Sequence, residues 1–169
     1  LARVSNLITD LVMNSAYHPD ELERERQVVL SEINMVEDTP DELVHVLFSQ
    51  NYWPNHALGR AVLGTAETVA GMSRDDILAY QGESYLPQQA VVSAVGDLSH
   101  QEVVDLVSTE LDRLPAGKQP KPRRTPQAAP GSNFYTRQTE QVHISMGCPA
   151  PSVLSEDRFV AAILNTVLG

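Results

Sequence analysis

The chain has 169 residues, 42% of them hydrophobic and 20% charged, the balance of a water-soluble folded protein with room for one ordinary domain or one domain and part of another. A formal charge of -10 supplies no basic field for nucleic acid, and no apolar run approaches the ~20 residues that span a bilayer, so general nucleic-acid binding and membrane insertion are both disfavoured. The lone cysteine, Cys148, excludes an internal disulfide and a cysteine-held zinc, and is expected to be an inert, buried thiol.

Residues 1–13 read as a helix already under way, with Val4, Leu7, Ile8, Leu11 and Val12 at helical spacing and no capping residue before them. His18-Pro19 starts a second helix, with Pro19 at the first position and Asp20 and Glu21 near its positive end. At about 100° per residue, Leu22, Val29 and Val36 share one stripe of this helix, widened by Val28 and Ile33. Glu25 and Glu32 fall within that stripe, whereas Glu23, Gln27 and Asn34 take the opposite face, with Arg26 and Glu37 at its edge. Carboxylates on a buried stripe need a cation, a proton or a metal to offset the loss of hydration. Either an arginine from elsewhere in the fold pairs with them, or one ligates a metal while the other supports it. Arg24 and Arg26 point away from Glu25 and are poorly placed for a local pair.

Thr39-Pro40-Asp41-Glu42 has the form of a capping box, so a helix is expected from about Pro40 to Gln50. Residues 51–64 are rich in turn formers and read as a surface loop. Ser73-Arg-Asp-Asp76 opens a helix to about Ser84, and residues 90–95 form a β-type run ended by Gly96-Asp97. Ser99-His-Gln-Glu102 is a second capping box, leading a helix to about Arg113. From residue 114 to 133 five prolines and a basic patch (Lys118, Lys121, Arg123, Arg124) replace apolar periodicity, the composition of a solvated linker. Residues 140–147 alternate as a half-buried strand, with Val142, Ile144 and Met146 on one face and His143 exposed on the other. A helix from about Ser155 closes the chain. Its apolar run stops at Gly169 with nothing in the sequence to pack against, so both ends are expected to be cuts through a longer protein. Helices mixed with intermittent strands give an α+β expectation, with helices packed on an antiparallel-rich sheet.

Other catalytic signatures are missing. The chain has no glycine-rich phosphate loop, no Gly-x-Ser-x-Gly elbow, and neither His-Glu-x-x-His nor His-x-x-Glu-His. The five histidines, His18, His45, His56, His100 and His143, are scattered.

Residues 23–33, Glu-Arg-Glu-Arg-Gln-Val-Val-Leu-Ser-Glu-Ile, followed by Glu37-Asp-Thr-Pro-Asp-Glu42, resemble the inverzincin metallopeptidases of the insulinase/pitrilysin family. Leu58-Gly-Arg-Ala-Val-Leu-Gly64, Tyr85-Leu-Pro and Val95-Gly-Asp-Leu-Ser-His100 follow in the family's order, as do Gln141-Val-His-Ile-Ser-Met-Gly147 and Ile163-Leu-Asn-Thr-Val-Leu-Gly169. The bacterial members and the β subunit of the mitochondrial processing peptidase are the most similar in kind. The resemblance implies a zinc-dependent endopeptidase acting on peptides or unfolded segments and admits a homo- or heterodimer; the compartment stays open, with a cytoplasmic setting favoured for a bacterial member.

The resemblance also assigns roles. Zinc is held by two histidines of an inverted His-x-x-Glu-His helix, whose glutamate is the general base, and by a glutamate from a later helix. Glu32 occupies that last position, and Glu25 matches a supporting glutamate that does not touch the metal. The zinc polarises the scissile carbonyl and activates a water. Residues 1–114 then correspond to the back of a first, zinc-binding domain, 115–133 to a linker, and 134–169 to the start of a second, homologous domain. The histidines and general base would lie upstream of residue 1, so zinc is not expected to bind tightly to this chain alone. The resemblance equally admits a non-catalytic scaffold or partner subunit.

Overall fold

A computed structural model describes residues 1–112 and 123–168. Among these, α1 (Ala2–Met13), α2 (Pro19–Asp38), α3 (Pro40–Tyr52), α4 (Ala66–Gly71), α5 (Arg74–Ser84), α6 (His100–Leu111) and α7 (Arg158–Leu168) carry the regular structure, with 3-10 turns at Ala57–Gly59 and Pro87–Gln89. The expected α+β architecture is therefore corrected: the regular structure of the described residues is all helix, with no strand and no sheet among them. A strand exists only through a ladder with a neighbour. The valine-rich run at 90–95 finds none, and Val91 and Val95 stand 93% and 96% exposed. Residues 141–146 also lack a ladder, and their pattern is inverted, with Val142, Ile144 and Met146 exposed and His143 half-buried. Lys118 and Lys121, with most of the linker's first half, lie outside the described residues.

The chain divides into two compact units. The first comprises Leu1–Ile33 and Thr65–Arg124. In it α1 packs against α6, and the Gln81 side-chain amide donates to the Val12 carbonyl at 2.8 Å, tying α5 to the end of α1. Arg74 donates to the carbonyls of Ala16 and Tyr17, each at 3.0 Å, and so holds the turn that delivers the chain into α2. Tyr17 there has φ of +44°, a left-handed conformation that costs a bulky residue energy unless its surroundings impose it. Helix starts follow the sequence closely. The Ser73 amide donates to Asp76 at 2.8 Å and the Asp76 amide back to the Ser73 hydroxyl at 3.2 Å. Ser99 and Glu102 repeat the exchange at 3.1 and 3.2 Å. Thr65 and Thr68 form a third box, opening α4 inside a stretch with no anticipated helix.

The second unit comprises Asn34–Gly64 and Thr125–Gly169. Its α3 begins with Pro40 in the first turn, but the Thr39 hydroxyl donates back to the Met35 carbonyl at 2.7 Å, so the anticipated capping bond is not made. The Ala57–Gly59 turn packs on the end of α3, where Gly59 is buried against the carbonyls of Trp53 and Ser49. Tyr52 stacks on Phe48 with ring centroids 5.1 Å apart and meets Trp53 edge-on at 4.9 Å. The downstream segment is fastened to the same region. Ala129 donates to the Tyr52 carbonyl at 2.8 Å, Asn51 to the Tyr135 hydroxyl at 2.8 Å, and Arg137 to the Glu37 carbonyl.

Little apolar surface is hidden. Ile33 (7% exposed) and Leu86 (2%) are the buried hydrophobic residues among those described. The accessible surface is 14161 Å², whereas a folded monomer of this mass exposes only about 8,200 Å². Val4, Leu7, Ile8, Leu11 and Val12 of α1 are exposed, as are Phe159, Ile163 and Leu164 of α7. Cys148 is exposed too, against the expectation of a buried thiol.

Candidate functional site

Helix α2 sets the candidate carboxylates. Pro19 pre-forms its first turn, and Asp20 and Glu21 sit against the positive end of its dipole. Glu25 and Glu32 lie about 10.5 Å apart along the axis and about 20° apart around it, so they project from the same side. That side is not the buried one. Leu22, Arg26, Val29, Ile33 and Val36 turn inward, while Glu25 and Glu32 are exposed on the shoulder beside exposed Val28 and Met35. The buried stripe is narrower than periodicity predicts; its outer edge, with both glutamates, faces water.

Neither glutamate side chain makes a hydrogen bond or ion pair with any described residue. The neighbouring arginines are engaged elsewhere, Arg24 with Glu21 and Arg26 with Glu23, each at 3.0 Å. Glu23 accepts from Gln27 at 3.0 Å and from Arg26, and those two bonds, Gln27's first, hold its carboxyl below the usual range. The structure thus brings Glu25 and Glu32 to one side of one helix and leaves their carboxylate oxygens unpartnered among the described residues.

An unpaired carboxylate is a chemically suitable metal donor, and among the described residues Glu25 and Glu32 both present one. The full set is not gathered here, since no group of three or more His, Cys, Asp or Glu that could hold a metal occurs among the described residues. His56 instead caps the 57–59 turn, its Nδ1 accepting from the Leu58 amide at 3.2 Å. An apolar groove of about 380 Å³ lies elsewhere, between Val92 and Ala94 on one side and Val103, Val104 and Val107 of α6 on the other, and neither glutamate lines it.

Arg26 is the residue that periodicity misplaced. Its side chain is only 17% exposed. Nη1 donates to the Val69 carbonyl and, at 3.1 Å, to that of Ala70, while Nη2 donates to that of Met72 at 2.8 Å. The guanidinium therefore closes the C-terminal end of α4, where free carbonyls attract a cation. Its acceptors lie more than forty residues away in sequence, and no local pattern announces them.

Two family models cover nearly the whole chain. One described as insulinase (peptidase family M16) matches residues 1–66, and one described as peptidase M16 inactive domain matches residues 71–169. An uncharacterized zinc protease of Streptomyces coelicolor is 34% identical over 97% of this chain and 38% of its own length. One from Bacillus subtilis is 32% identical over 97% of the chain and 40% of its own length. The human mitochondrial-processing peptidase subunit beta is 30% identical over the full chain and 35% of its own length. The chain thus spans well under half of these relatives. Among solved structures, a peptidase M16 inactive domain from Pseudomonas fluorescens superposes with a TM-score of 0.68 at 20% identity, covering 73% of this chain and 30% of that one. Complex III2 from Candida albicans superposes with a TM-score of 0.63 at 19% identity, covering 76% and 31%. With both halves of the sequence matched in order and relatives a third identical along almost all of it, the chain belongs to the insulinase (M16) family of peptidases.

Proposed function

We propose that the chain is part of a longer zinc-dependent endopeptidase, to which it contributes Glu32 as a carboxylate ligand and Glu25 as a supporting carboxylate. The observation that carries this reading is Glu32 itself, exposed on a regular helix and unpartnered among the described residues; its match to the family's third-ligand position is what the sequence resemblance implies. The relatives' description as zinc proteases supports it. The remaining ligands and the general base come from residues outside the 169, so residues 1–114 complete a zinc-binding domain, 115–133 link it onward, and 134–169 begin a second domain. When bound, zinc supplies Lewis acidity toward a peptide carbonyl. The chain's own part is to hold Glu32 in place on α2. Substrates are peptides or unfolded protein segments, and the working form is a homo- or heterodimer.

The test is metal analysis and peptide hydrolysis on the full-length protein. Wild type retains about one zinc per chain. Glu32→Gln loses both zinc and activity while keeping its helical content, and full activity in that variant refutes the ligand assignment. The 169-residue chain alone retains no stoichiometric zinc, and tight binding there refutes the incomplete-site reading.

A second reading, a non-catalytic scaffold or partner subunit, draws on the description of the family model that matches 71–169 as an inactive domain. A full-length wild-type protein free of zinc, with no His-x-x-Glu-His upstream of residue 1, favours it.

A further inference from the structure

We propose that Arg26 is a positioning residue for Glu32, acting as the key that fixes the rotation of α2 about its own axis. The inference rests on the reading of Glu32 as a zinc ligand and adds what aims it.

The apolar contacts of α2 are weak determinants of rotation. Ile33 is the buried residue of this helix, flanked by half-buried Leu22, Val29 and Val36, and apolar contact is non-directional. Arg26 supplies the direction. Its planar guanidinium reaches the carbonyls of Val69, Ala70 and Met72 at one end of α4 and is held on its other side by Glu23 through Nε at 3.0 Å. A fork engaged with several fixed acceptors tolerates little rotation of the helix that carries it.

Helical geometry converts that restraint into the placement of Glu32. Six residues separate Arg26 from Glu32, so the two side chains leave α2 about 120° apart around the axis and about 9 Å apart along it. With Arg26 seated on α4, Glu25 and Glu32 face outward together, as the structure shows. A carboxylate rides about 5–6 Å from the helix axis, so a turn of α2 by about 20° moves it by about 2 Å. Ligating groups need placement within about 0.5 Å, so a turn of that size is enough to spoil a metal site. The Glu32 carboxylate has no hydrogen bond to a described residue that would correct such an error.

The experiment compares Arg26→Gln, Arg26→Lys and Glu32→Gln in the full-length protein, with an unstructured reporter peptide as substrate and cobalt(II) exchanged for zinc as a spectroscopic probe. Arg26→Gln is expected to lower kcat roughly 10- to 100-fold with KM within about twofold, because transition-state geometry suffers more than peptide binding. It is also expected to change the visible absorption of the cobalt(II) form while far-UV circular dichroism stays that of wild type. Arg26→Lys keeps the charge but loses the fork, and recovers part of kcat. Wild-type kcat with an unaltered cobalt spectrum in Arg26→Gln overturns the proposal. Should Arg26→Gln not fold, Arg26→Lys decides: reduced kcat and a shifted spectrum at the wild-type melting temperature support the key, and wild-type values for both overturn it. Loss of metal in Glu32→Gln beside an unaffected Arg26→Gln rejects the key and spares the ligand. Full metal content in Glu32→Gln rejects both.

Discussion

Arg26 and Glu32 have opposite surroundings although both are charged residues of one helix. The arginine is sheltered with its donors engaged, and the glutamate is exposed with no partner for its acceptors among the described residues. A charged side chain is sheltered only where its hydrogen bonds are replaced, and the open end of α4 replaces them. The capping carboxylates make a checkable pair at the same scale. Asp76 is held below its ordinary value of 3.8 by the Ser73 hydroxyl and then the Ser73 amide. Glu102 is held below 4.5 by the Ser99 amide and then its hydroxyl. A pKa lowered in the folded state means stabilisation that is present above the ordinary value and lost as pH falls through the lowered one. The starts of α5 and α6 should therefore fray on acidification below about pH 4. Amide resonances of Ser73 and Ser99 followed by NMR against pH should report the loss, and shifts that stay constant down to about pH 2 would reject it.

At the scale of elements, the helices were legible wherever their signals were local. Pro19, the Ser73–Asp76 and Ser99–Glu102 boxes, and the apolar spacing of α1 all found their helices. The interior face of each helix was much less legible. In α1 the half-buried positions are Ser5, Thr9 and Met13, not the stronger stripe of Val4, Leu7, Ile8, Leu11 and Val12. In α2 the inward face is turned toward Arg26 and away from the glutamates. Periodicity reports that a face is apolar but not what covers it. The two same-side carboxylates of the candidate site were legible, and the Arg26–α4 contact was not, because it is long-range. Two substitutions test element-level packing. Thr65→Ala removes one half of the α4 box and should cost about 1 kcal/mol, seen as faster hydrogen exchange at Thr68. Gly59→Ala drives a methyl group toward the Trp53 and Ser49 carbonyls, the latter 3.0 Å away. Backbone of that kind yields little, so a loss of about 1–3 kcal/mol in urea unfolding is expected; an unchanged midpoint would show that the turn relaxes.

For the whole molecule, exposed apolar area outweighs the core. Faces as extensive as those of α1 and α7 exceed what isolated soluble proteins usually leave open. The 169-residue chain on its own should bind the dye ANS and self-associate as its concentration rises, by fluorescence and sedimentation velocity respectively. A dye-silent monomer at high concentration would contradict this. The same feature explains why the strand expectation failed. Residues 90–95 and 140–147 carry strand-like composition, but composition cannot supply a pairing edge, and the described residues contain none.

The single tryptophan gives the two units separate voices. Trp53, edge-on to Tyr52 at the end of α3, is the chain's one indole and lies in the second unit. Its emission reports on that unit alone, whereas far-UV circular dichroism averages over helices of both. Superimposed denaturation curves from the two signals mean one cooperative transition; separated midpoints mean that each unit melts by itself, and a single free energy of unfolding has no meaning for this chain.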